Sequence, residues 1–235
     1  MAAAMARDVL RTFREFTQGA PENASAYAGL ATSPDGVPIV IVVPVHHGPT
    51  EEGEALLRPL RTFGPPVADM VQPMPYTAAQ QMLDAANAPG NRVYWQSAIL
   101  RNIDDDVVDA IVDQAASTPS PLSATLIEFY GGAINRVGVA DTAYPLRDVT
   151  YALNAVSMWT DPAQDDVTIA ARVGCGRRCG RFRQAASTSI SSESAMKART
   201  ASRRHMDRTT PVWRSLRRCW VPKATEGRRV GVSFC

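Results

Sequence analysis

The segment LIEFYGG, residues 126–132, sets one carboxylate, Glu128, inside a mostly apolar run. A carboxylate withdrawn from water must be paired, hydrogen-bonded or raised in pKa. Strand alternation puts Glu128 and Tyr130 on the same face. A salt bridge to Arg136 or Arg147 would account for Glu128 as well as a chemical role would. In RVYWQS, residues 92–97, the same alternation puts Tyr94 and Gln96 on one face and Trp95 and Ser97 on the other. His46 and His47 are adjacent, so in a strand they point to opposite faces. They read as polar residues at a strand end rather than as two ligands of one metal. Gly131-Gly132 suits a strand end where backbone approaches closely, but it is too short to cradle a phosphate. Residues 1–172 hold no GxGxxG, no GxxxxGK[ST] and no metal-spaced His/Cys/Asp cluster.

The balance of charge divides the chain. Overall it has 25 Lys+Arg against 23 Asp+Glu, a net +2. Residues 1–172 carry 10 Arg, no Lys and 20 Asp+Glu; residues 173–235 carry 15 Lys+Arg and 3 Asp+Glu. The first part is therefore strongly acidic and the second strongly basic, which calls for separate readings. All four cysteines, Cys175, Cys179, Cys219 and Cys235, fall in the second part, without the regular pairs a zinc site requires. The longest apolar run, VPIVIVVPV at 37–45, falls far short of the roughly 20 residues that span a bilayer. MAAAMARDVL has no signal-peptide hydrophobic run. Soluble, cytoplasmic and free of any membrane is the default expectation.

The elements that would position these groups alternate along the chain. ARDVLRTFREFTQ reads as a helix with Val9, Leu10, Phe13 and Phe16 as its apolar stripe. Two strands follow, joined by a turn at Ser33-Pro34-Asp35-Gly36. The second, apolar throughout 38–43, is expected to be covered on both faces. TEEGEALLRPLRT is a second helix, with Pro59 expected to bend or end it. PYTAAQQMLDAAN is a third, packed through Met82, Leu83 and Ala86. NRVYWQSAILRN is a strand, DDDVVDAIVDQAAST a fourth helix, and SATLIEFYGGAINRV and DVTYALNAVSMW two more strands. The expected fold class is α+β: a mostly antiparallel sheet with helices covering one face, followed by a basic tail of low order.

From FGPPVADMVQPMPYTAAQQMLDAANAPGNRVYWQSAIL through LIEFYGGAINRV, AYPLRD and the strand ending at Trp159, the chain resembles the substrate-domain region of the berberine-bridge-enzyme-like FAD-linked oxidoreductases, of the vanillyl-alcohol-oxidase type of fold. The resemblance covers nearly all of residues 6–172. It rests on the order and spacing of many weak motifs rather than on one specific motif. It implies hydride transfer from an alcohol, a sugar hemiacetal or a natural-product amine to FAD. It implies a small-molecule substrate and no specific nucleic acid. It also implies that FAD is held by a preceding domain, so this chain alone is expected to bind none and to be inactive alone. Aligned on Trp159 and Arg147, the residue facing the flavin and substrate is Asn154. An amide cannot serve as a general base, though it can hydrogen-bond a substrate hydroxyl. Tyr94, Gln96, Glu128, Tyr130 and Trp159 complete the substrate-lining candidates that the resemblance implies.

Residues 173–235 admit other readings. Clustered arginine can bind phosphate backbones without sequence preference, and a non-catalytic scaffold is a further alternative. A shifted reading frame is favoured. AASTSISSE can be encoded so that a one-nucleotide slip spells GVYINFLG, and GCGRRCGRFRQ so that it spells LRQTMRPFPP. Both peptides resemble the family's continuation after Arg172. The expected boundary between the two parts lies there.

Overall fold

The computed structural model describes residues 5–64, 66–87, 89–142, 144, 147, 149–171 and 231–234. These lie in one compact unit, Met1–Ala186 with Val230–Cys235; a second unit, Ser187–Arg229, lies outside the described residues. In chain order the elements are α1 (Ala6–Gln18), β1 (Ala24–Thr32), β2 (Pro38–His46), α2 (Thr50–Thr62), α3 (Tyr76–Gln80), β3 (Arg92–Leu100), α4 (Asp105–Ala116), β4 (Ala124–Phe129), α5 (Ala133–Arg136), β5 (Tyr151–Trp159) and β6 (Gly231–Phe234). The strands form one sheet in the order β2-β1-β4-β5-β3-β6. Every pairing among β1–β5 is antiparallel, and β6 joins β3 in parallel. The α+β architecture expected from the sequence is the one observed.

The helices α1 and α4 close one face of this sheet. Leu10 and Phe13 of α1, and Val107, Val108 and Ile111 of α4, pack on Ala26, Ala28, Ile127, Tyr151 and Leu153. Phe13 and Phe129 flank the Tyr151 ring at centroid distances of 6.2 Å and 5.9 Å. The Tyr151 hydroxyl is not left unpaired there: it lies 2.7 Å from Thr17 Oγ1. Asp104 caps α4 by accepting from the Val107 amide at 3.0 Å, which satisfies one of the free donors at the helix start. Arginines of α1 meet acids of α4: Arg7 with Asp109 and Asp113, and Arg11 and Arg14 with Asp105.

Three expectations are corrected. β2 is not covered on both faces; it is the edge of the sheet, none of its residues is buried, and Ile41 is 41% exposed. Its apolar run served pairing with β1 and one-sided packing. α2 does not end at Pro59 but runs on to Thr62. Pro59 forfeits one backbone hydrogen bond near the end of the helix, where the loss is least disruptive. The third helix shrinks to Tyr76–Gln80, and Met82, Leu83 and Ala86 are exposed. Of the segment expected to be of low order, residues 231–234 form β6, and 173–230 lie outside the described residues.

Candidate substrate face

The register of the sheet decides which candidates meet. Directly paired residues of an antiparallel ladder share a face. Tyr94 pairs with Ser157 and Gln96 with Ala155, so both stand on the helix side with Tyr151 and Leu153. Trp159 is 3% exposed and its indole donates to Asp165 at 2.8 Å. Asp165 also accepts from Arg92 at 2.6 and 2.5 Å. The structure therefore gives Tyr94, Gln96 and Trp159 places on the helix side of the sheet, away from Asn154.

Asn154 stands on the second face, opposite Ser97 on β3 and Leu126 on β4. It is 6% exposed. Its Oδ1 accepts from the Trp95 indole at 3.1 Å and from Ser97 Oγ at 2.6 Å. An indole N–H can only donate, so the oxygen of the amide must be the atom facing β3. That fixes the flip of the side chain and leaves the two amide N–H donors unengaged among the described residues. Trp95 and Ser97 were legible as neighbours by alternation. That they clamp Asn154 needed the β3–β5 register.

Glu128 stands on the same second face. It pairs with Ala152 on β5 and with Tyr27 on β1. As diagonal neighbours, Glu128 and Asn154 have backbones about 7–8 Å apart. Glu128 Oε2 accepts from the Tyr130 hydroxyl at 3.0 Å. Neither expected salt bridge forms. Arg136 pairs with Glu22. Arg147 donates to the Ile134 carbonyl at 2.9 Å and to Thr142, and lies 4.9 Å from the Tyr144 ring centroid. Among the described residues no cation neutralises Glu128.

The surrounding phenols register that charge. Burial and the neighbouring Glu128 carboxylate, which also accepts its hydroxyl proton, push Tyr130 far above the ordinary phenol range. Burial and Glu128 also raise Tyr27; burial first, then Glu128, raises Tyr144 against the lowering effect of Arg147. Each stays a neutral phenol, because a phenolate beside an uncompensated carboxylate would add like charge in a poorly solvated place. Local backbone holds the group in place. Gly132 adopts φ +62°, where a Cβ would come within 3.3 Å of the Glu22 carbonyl oxygen. Asn135 donates to the Tyr130 and Val149 carbonyls at 3.3 and 3.2 Å. Tyr27 and Tyr144 were not singled out by sequence: the β1–β4 register sets Tyr27 opposite Glu128, and Tyr144 responds to the Glu128 charge from a position distant in the chain.

Elsewhere, His46 Nε2 lies 3.0 Å from Asn23 Nδ2, and its ring fills the space beside Gly48 and Gly53. Its place is structural. A shallow groove on α2 is lined by Glu54, Arg58, Arg61, Thr62 and Asp69, with Arg61 and Asp69 paired at 2.7 Å. No group of three or more His, Cys, Asp or Glu among the described residues can hold a metal. None of their helices is long and apolar enough to cross a membrane.

No family model matches the chain. Among curated proteins it is similar to an FAD-linked oxidoreductase of Dictyostelium discoideum, 24% identical over 106 residues, covering 45% of this chain and 23% of that protein. It is also similar to an uncharacterized FAD-linked oxidoreductase, YgaK, of Bacillus subtilis, 27% identical over 119 residues, covering 50% of this chain and 26% of that one. The fold overlays BBE-like 28 of Arabidopsis thaliana with a TM-score of 0.61 at 13% identity, over 80% of this chain and 42% of that one. It overlays GilR, the oxidoreductase of the terminal step of gilvocarcin biosynthesis, with a TM-score of 0.59 at 25% identity, over 74% and 38%. A carbohydrate oxidase from Microdochium nivale overlays with a TM-score of 0.55 at 18% identity, over 76% and 41%. The resemblance to the berberine-bridge-enzyme-like FAD-linked oxidoreductases is thereby shown. The matched region spans about a quarter of the curated relatives' length.

Proposed function

We propose that residues 6–172 form the substrate-binding layer of an FAD-linked oxidoreductase acting on a small molecule that carries a hydroxyl or amine group. The observation that carries this reading is the amide of Asn154. Two donors, Trp95 and Ser97, hold its oxygen, so its N–H donors are preset toward the second face. Such a fixed pair of donors binds and orients an oxygen or nitrogen acceptor; it cannot remove a proton. Glu128, on the same face, is the group able to take one. The relatives support the reaction class by their names, and those named for a carbohydrate or for pregilvocarcin support a small organic substrate.

FAD, when bound, supplies the hydride-accepting ring. The described residues do not by themselves fit the whole of it. A pyrophosphate wants free cations or a nest of backbone N–H groups, whereas Arg7, Arg11, Arg14, Arg61, Arg92 and Arg136 are each tied to a carboxylate, Arg147 is held by a carbonyl, a hydroxyl and the Tyr144 ring, and Arg58 lies in the shallow groove on α2. On this reading the chain alone retains no stoichiometric flavin, and a visible flavin spectrum that survives purification at one per chain would overturn it.

The substrate layer is tested by calorimetric binding of a panel of benzylic alcohols and aldoses to the full chain. Asn154→Leu is expected to abolish the binding that the unsubstituted chain shows. The triple replacement Trp95→Phe, Ser97→Ala, Asn154→Leu removes the unpaired donors with the amide and should give the same loss in a well-folded protein. Unchanged affinity in both variants would sink the proposal.

The charge reversal after Arg172 and the peptide GVYINFLG, recovered by a one-nucleotide slip, support a second part, 173–235, read out of frame. Sequencing the coding DNA decides this. A neighbouring frame that does not spell that peptide ends the idea.

A further inference from the structure

We propose that β2, the free edge of the sheet, pairs antiparallel with β2 of a second copy of this chain, so that two sheets join about a two-fold axis at Ile41. This pairing does not depend on the substrate-layer reading and stands or falls without it.

Three observations converge. First, β2 runs nine residues, Pro38–His46, and pairs with β1 alone among the described strands. An edge strand presents a row of unpaired N–H and C=O groups that can template another strand. Their direction is fixed at both ends of the hairpin. The Ser33 amide donates to the Val37 carbonyl and the His47 amide to the Asn23 carbonyl, both at 2.8 Å. Backbone groups alternate in direction along a strand, so odd-numbered residues of β2 bond β1 and even-numbered ones aim outward. Val40 and Val42 therefore each offer a donor and an acceptor to a neighbour. Pro38 and Pro44, which have no N–H, sit where no bond to β1 is lost.

Second, the devices that blunt an edge are thin here. A lysine or other charge on such a strand keeps neighbours away, yet the run VPIVIVVPV carries none. No residue of β2 is buried, and Val37 and Ile41 are 54% and 41% exposed. Third, the strand is complementary to itself. With Ile41 opposite Ile41, Val40 and Val42 of each copy exchange backbone bonds with Val42 and Val40 of the other. Pro38 then meets Pro44, so neither proline stands where a donor is needed. The same alignment brings the turn carrying Asp35 to the strand end carrying His47 of the second copy, a carboxylate beside an imidazole that can donate to it. Moving the axis to Val42 would set Val40 against Pro44, leaving the Val40 carbonyl without a donor, and would separate Asp35 from His47. An uncharged middle with an acid at one end and an imidazole at the other thus fits its own reversed copy. An edge contact is smaller than the about 1,200–2,000 Å² of stable complexes, so the dimer should exchange reversibly with monomer.

Sedimentation velocity of the full chain, over concentrations on the order of 1–100 μM, follows that balance. Ile41 faces itself across the axis in a non-hydrogen-bonded pair, where side chains come closest. Ile41→Lys and Ile41→Glu each set like charges opposite one another and should loosen the dimer at least about tenfold. Their thermal melting should match that of the unsubstituted chain, because the position is exposed. An equimolar mixture of the two variants should restore the dimer, since lysine then faces glutamate. Hydrogen exchange at the Val40 and Val42 amides should slow as the concentration of the unsubstituted chain rises, and stay fast in Ile41→Lys. A chain that remains monomeric throughout, association that neither variant weakens, or a mixture no more dimeric than its components would overturn the proposal. A monomer in which these two amides are already protected would give the edge to some other strand and overturn it equally.

Discussion

On the helix side of the sheet, β5 contributes Tyr151 and Leu153 to a core closed by Leu10, Phe13, Val108 and Ile111. On the other side the same strand contributes Asn154, wired to Trp95 and Ser97. One side is mainly apolar packing, its buried hydroxyls satisfied at Thr17–Tyr151 and Thr125–Gln114, with the Arg92–Asp165–Trp159 group at its rim. The other holds Glu128 without a cation and the Asn154 amide with unengaged donors, both among the described residues, together with Tyr27 and Tyr130. All nine residues of this strand are buried. Its odd-numbered positions face the helices, and its even-numbered ones, Asn154 among them, face the second side, which we propose to be the substrate layer.

The largest effect should come from the helix side. Phe13 is fully buried and packs on Tyr151. Phe13→Ala should cost about 3–5 kcal/mol in denaturant unfolding. A cost below about 1 kcal/mol, as for a surface change, would mean that α1 is not the lid of this core. On the second face, Asn154→Leu should cost less, about 1–3 kcal/mol, through the unpaired Trp95 and Ser97 donors. Adding Ser97→Ala should recover part of that loss. A strictly additive double mutant would show that the two residues do not share the bond described.

The elements that announced themselves in the sequence are those whose pattern matches their burial. Val9, Leu10 and Phe13 recur at helical spacing because α1 buries one stripe. The turn at 33–36 was legible because Gly36 takes φ +80°. The third helix misled because Met82 and Leu83 are large and apolar yet exposed at 46% and 58%, so apolar spacing there does not report a packed face. For the site, alternation alone correctly paired Glu128 with Tyr130 and separated Trp95 from Tyr94. It could not say which of the two faces the helices would cover. Nor could it place Tyr27 beside Glu128, since that contact depends on the β1–β4 register and on nothing near either residue in the chain.

A titration sharpens the comparison further. Tyr27, Tyr130 and Tyr144 are raised in part by Glu128, whereas Tyr151, raised by burial and lowered by Thr17 and Arg14, owes nothing to it. Ultraviolet titration of the phenols should therefore show Glu128→Gln moving the first three toward the ordinary value and leaving Tyr151 in place. The sign for stability follows. A folded pKa above the unfolded one gives stability that is complete below about pH 10 and is lost as pH rises through the folded value. The Glu128→Gln protein should lose less of its stability on the alkaline side. If all four tyrosines shift together, or none does, the carboxylate is not the center of this cluster.

The smallest effect belongs to the rim of the helix side. Asp105 lies 2.9 Å from Arg14 and 3.2 Å from Arg11. Hydrogen bonds from Arg11 and Arg14 hold its carboxyl below the ordinary value of 3.8. Here the folded pKa is the lower one, so the contribution is present above 3.8 and lost as pH falls through the folded value. The pair is exposed, and such bridges contribute little and are screened by salt. Asp105→Asn should accordingly leave stability near neutral pH almost unchanged and remove only a small, salt-sensitive part of the acid limb of a thermal-melt series. A large loss at neutral pH would mean that Asp105 holds α1 against α4 by more than charge, and the division between an apolar, packed side and a polar, recognizing side would have to be redrawn to give its ion pairs a share of the core's work.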